Sequence, residues 1–98
     1  MTRTTEEKHH ALLRQAERGR SVRALLEDDS FKMLVSDLRD ELIEGMIAVT
    51  PEDDALRRSF AFQIAALDKL VRHLQSFAGI GDKALDQLNK LKATPDGK

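Results

Sequence analysis

Two runs of apolar residues at helical spacing, with almost nothing between them, constrain this chain more than any other feature. Phe31, Leu34, Val35, Leu38, Leu42, Met46 and Val49 form the first run, and Leu56, Phe60, Ile64, Leu67, Leu70, Val71, Leu74 and Phe77 the second. Each set lines one face of an α-helix. The link between them, IAVTPEDDALRRSF, is already a helix start. Thr50 suits the N-cap, Pro51 the first helical position, and Glu52, Asp53 and Asp54 oppose the positive end of the helix dipole. So short a link forces the chain to reverse, which predicts an antiparallel hairpin of residues 30–49 and 51–78. Gly45 falls on the first face, where it permits close approach of a partner backbone. Pairs at i, i+4 (Asp53 with Arg57, Asp54 with Arg58, Asp68 with Arg72) favour the second helix.

The flanks read as shorter helices. Thr4 and Glu7 have capping-box spacing, Ala11, Leu12, Leu13 and Ala16 give a modest apolar side, and Gly19 is a stop signal. Ser21 then restarts a helical turn through Val22, Leu25 and Leu26, so residues 1–29 form an N-terminal helix and a short turn. At the other end, Gly79-Ile80-Gly81 closes the long helix. Asp82 caps a fourth helix over 82–92 carrying Ala84, Leu85, Leu88 and Leu91, and 93–98 is a frayed tail. The expected fold is all-α and a single domain over 1–98. It is a small helical bundle built on an antiparallel hairpin of two long helices, with shorter N- and C-terminal helices.

Composition fits that size. The chain has 98 residues, 41% hydrophobic and 34% charged, which implies a globular domain with a thin core. It has no cysteine, which excludes disulfides and thiolate metal sites. Apolar runs are too short to span a membrane, so a soluble cytoplasmic protein (host cytoplasm or virion) is expected. The net charge of −1 hides segregation: six Lys/Arg against three acids in 1–26, two against ten in 27–54, and eight against four in 55–98. Such a chain neutralises itself on folding, and its overall attraction to nucleic acid is weak.

Residues outside the hairpin seam are the candidates for function. Ile43 and Ile47 point away from the first apolar face, and Phe62 lies about 130° from the centre of the second. The first or fourth helix covers them, or a subunit contact does, or they stay exposed. With so narrow a core, self-association is expected, and Ile43, Ile47 and Phe62 are the candidate interface. Ala61 and Ala65 read as surface helix formers. Gln63 falls inside the apolar face, where an amide either sets helix register and oligomer state or reaches solvent at the seam edge.

Asp37, Asp40, Glu41 and Glu44 make an acidic ridge, with like charges at i, i+4. The ridge meets the chain's own arginines, a basic protein partner or, least readily, a metal, which prefers a loop that wraps it. Arg14, Arg18, Arg20 and Arg23 are the candidate nucleic-acid contacts, but no aromatic is interleaved for stacking. His9 and His10 point about 100° apart and chelate poorly, and His73 has no carboxylate at helical spacing to orient it. No Gly-rich phosphate loop is present. The reading is a non-enzymatic chain with no cofactor and no metal. It acts by homo-oligomerisation and protein–protein binding, and the alternative is a nucleic-acid or nucleotide binder using the basic N-terminal segment.

The segment ALLEDDSFKMLVSDLRDELIEGMIAVTPEDDALRRSFAFQIAALDKLVRHLQ carries a resemblance. Leu25, Leu26, Asp28 and Phe31 open it, Thr50 and Asp53 mark its turn, Arg57 starts its second helix, and Ala66 to Leu70 form an ALDxL-type run. It resembles small α-helical hairpin proteins encoded in tailed-bacteriophage genomes. SFAF at Ser59–Phe62 departs from their more polar, Trp-containing start to the second helix. The resemblance implies a phage setting, as an accessory, assembly or host-factor-blocking protein, and no catalytic motif.

Overall fold

Aspartates cap the second and third helices. The computed structural model describes residues 5–93, which form three α-helices and no strand: α1 (Thr5–Glu27), α2 (Asp29–Ala48) and α3 (Asp54–Ala93). Asp28 caps α2, its carboxylate accepting the Phe31 N–H at 2.8 Å from an extended backbone. Asp53 does the same for α3, accepting the Leu56 N–H at 3.0 Å. Each carboxylate satisfies an N–H that the first turn leaves without an intrahelical partner.

The link between α2 and α3 differs from the expected cap at Thr50. Thr50 contributes its carbonyl, which accepts the Asp53 N–H at 3.1 Å and an Arg57 N–H at 3.0 Å. Pro51 and Glu52 are the middle of that turn, and proline's fixed φ suits the second position of a β-turn as well as it suits a helix start. The helix begins after the turn.

Both expected glycine stops are absent. α1 passes through Gly19 and Ser21 without a break, and α3 passes through Gly79-Ile80-Gly81, so the separate fourth helix over 82–92 is the end of α3. The reason is packing. An interior glycine costs a helix about 0.5–1 kcal/mol against alanine. At Gly19, however, a Cβ would lie 2.5 Å from the Gly81 Cα, so only paired glycines admit this backbone contact. Thr4, the other half of the expected capping box, and the tail over 94–98 lie outside the described residues.

The chain divides into two compact units, residues 1–25 with 74–98, and residues 26–73. The first holds α1 and the second half of α3. Its buried residues are small: Ala16 and Gly19 on α1, Ala78, Gly81 and Ala84 on α3, with Leu88 and the half-buried Leu12 extending the core. The second unit holds α2 and the first half of α3. Arg39 on α2 donates to Asp68 on α3 at 3.0 and 3.4 Å, and a Cβ on Gly45 would lie 2.6 Å from the Phe60 ring. Gly45 makes room for a neighbour as expected, but that neighbour is the Phe60 side chain and not the backbone that was expected. No residue of this second unit is buried.

Candidate functional site

Seven large apolar side chains of the unit of residues 26–73 are exposed. Ile47 and Phe62 are each 75% exposed, so neither is covered by its own chain, while Ile43 is half-buried. Four leucines also stay open: Leu34 at 63%, Leu38 at 45%, Leu56 at 45% and Leu70 at 52%. The sequence reading put these four in the seam and missed their exposure. They sit at the edge of each apolar stripe, and two helices alone leave such edges to solvent. Gln63 is exposed and its amide donates to Ser59 Oγ at 3.4 Å on the same helix. Ala61 and Ala65 face solvent.

Asp37, Asp40, Glu41 and Glu44 are all exposed on α2. Arg39, one position before Asp40, reaches Asp68 on α3. Asp68 thus bridges to Arg39, while Arg72, the expected partner, acts on it only through space. The Arg39 hydrogen bond is the main reason that the Asp68 carboxyl is held below its ordinary value, against the desolvation that raises it. Reciprocally, the bond to Asp68 raises Arg39. Arg57 pairs with Asp54 at 2.8 Å, leaving Asp53 to its cap in place of the expected Asp53–Arg57 pair.

The four arginines of α1 are not equivalent. Arg23 is ion-paired with Asp82, and the Arg18 guanidinium lies 5.7 Å from the Phe77 ring centre, a cation–π distance. Arg14 joins Arg18, Ala11 and Gln15 around a shallow polar hollow. Arg20 edges a cleft of about 250 Å³ floored by Leu13, Ala16, Leu85 and Leu88. His9 and His10 are exposed, with ring centres 6.4 Å apart at a steep angle. His73 is exposed. Among the described residues no three His, Asp or Glu gather as metal ligands, and no helix is long and apolar enough to cross a membrane.

No family model matches this chain, and no curated protein or solved structure matches it.

Proposed function

We propose that this chain is a non-catalytic association protein, acting through self-assembly and protein–protein binding. One observation carries the reading: too much of its surface is open. The buried hydrophobics among the described residues are three alanines and one leucine, whereas thirteen large hydrophobics are exposed. Association takes such side chains out of water.

The antiparallel hairpin belongs to the same reading. Arg39 with Asp68 and Gly45 with Phe60 are successive pairings in which the α2 number rises as the α3 number falls, which supports α2 and residues 54–73 as antiparallel neighbours. The resemblance of this segment to small phage-encoded helical proteins supports an accessory, assembly or host-factor-blocking role. The rival, nucleic-acid binding through Arg14, Arg18, Arg20 and Arg23, is less favoured because Arg18 and Arg23 already have partners in the chain. Light scattering on the purified protein tests the proposal. A salt-stable dimer or larger species is expected, and a monomer at all concentrations removes it.

A further inference from the structure

We infer that a second copy of this chain covers the leucine face of residues 26–73, each α2 packing on the partner's α3; this rests on the association reading above. The face follows from helical angles, at about 100° per residue. In an antiparallel pair, residues displaced in the same rotational sense from the seam lie on the same side. Arg39 and Asp68 are displaced one way, as their ion pair requires. Leu34 and Leu38 on α2, and Leu56 and Leu70 on α3, are all displaced the other way, and all four are exposed. The unit therefore has a bridged side and a leucine side.

The occupant is argued from folding and from charge. With no buried residue of its own, this unit needs its cover in order to hold together, so the cover is present wherever the chain folds. A second copy meets that condition by construction. Two stacked hairpins have two two-fold arrangements, one placing each helix on its own copy and one placing α2 on the partner's α3. Charge separates them. Glu41 lies in the middle of the leucine side of α2, so self-pairing of α2 opposes carboxylates. The matching side of α3 carries Gln63 and no charged residue. The Gly45–Phe60 and Arg39–Asp68 pairings put Glu41 and Gln63 at one level along the helices. In the second arrangement the Gln63 amide, which donates one N–H to Ser59 on its own helix, therefore has its other N–H for Glu41 of the partner subunit.

Light scattering across a dilution series tests this on the full chain. Leu38→Glu and Leu70→Glu should weaken dimerisation at least tenfold, while Ile47→Glu and Phe62→Glu, off this face, should leave it within about twofold. Because the leucine variants can unfold, Gln63→Glu is the second probe. It should weaken the dimer by facing two carboxylates, and adding Glu41→Gln should restore it. A wild-type monomer defeats both this inference and the proposed function. A wild-type dimer that is indifferent to Gln63→Glu, or that is broken only by the Ile47 and Phe62 variants, defeats this inference alone.

Discussion

Three glycines inside helices show how one residue type carries three different costs. At Gly19 an added methyl meets the Gly81 backbone, which no rotamer change can relieve, so the helices must separate. Gly19→Ala should cost about 1–3 kcal/mol by the overpacking rule. At Gly79 nothing lies within 4 Å of the added atom, so Gly79→Ala should add roughly 0.5–1 kcal/mol. Urea denaturation of the two variants checks the opposite signs; equal effects would mean that the Gly19–Gly81 contact is not formed. Gly45 is intermediate, since its neighbour is the outer edge of the Phe60 ring, which can swing away.

The Arg39–Asp68 bridge gives the residue scale its pH dependence. Folding lowers the Asp68 pKa, chiefly through the Arg39 hydrogen bond. Such a group contributes stability above its unfolded pKa, near 4, and loses it as pH falls through the lower folded value. Below about pH 4 the wild type should therefore lose stability faster than Asp68→Asn, and the two should converge towards pH 2. Both side chains are well exposed, so the difference is small and shrinks with salt. Parallel acid-unfolding curves for the two proteins would argue against the bridge.

At the scale of elements, helix existence was legible and helix ends were not. The two apolar periodicities marked α2 and the first half of α3 because burying a stripe is what keeps a helix in place. Their ends are decided by local competition. Thr50-Pro51 reads equally as a cap or as a β-turn, and the carboxylate of Asp53, three residues later, wins the cap. Asp53→Ala should cost about 1 kcal/mol and Thr50→Ala less than half of that, measured by thermal melting. A larger loss at Thr50 would restore the original assignment. The Gly79-Ile80-Gly81 stop failed for another reason. Nothing local shows that Gly81 and Gly19, 62 positions apart in sequence, meet and keep α3 helical. Likewise Asp68 has Arg72 at ideal spacing, yet the bridge goes to Arg39 on the neighbouring helix. For the candidate site, the spacing placed Ile43, Ile47 and Phe62 outside the seam and left their cover open; neither Ile47 nor Phe62 is covered by a flanking helix, and Ile43 is half-buried. The spacing missed Leu34, Leu38, Leu56 and Leu70, because whether a stripe edge is buried depends on how many helices surround it.

At the scale of the whole molecule, burial is short. The buried hydrophobics among the described residues are three alanines and one leucine, whereas thirteen large hydrophobics are exposed, so the chain's own packing cannot offset the entropy of ordering it. A protein closed by association should melt at a temperature that rises with concentration, because the folded state is linked to assembly by mass action. The measurement that bears most directly on this claim is sedimentation equilibrium of the wild-type chain, with melting followed over the same concentration range. The account predicts a mass of at least twice 11.0 kDa and a melting temperature that climbs with concentration. A monomer that melts cooperatively at one fixed temperature would contradict it.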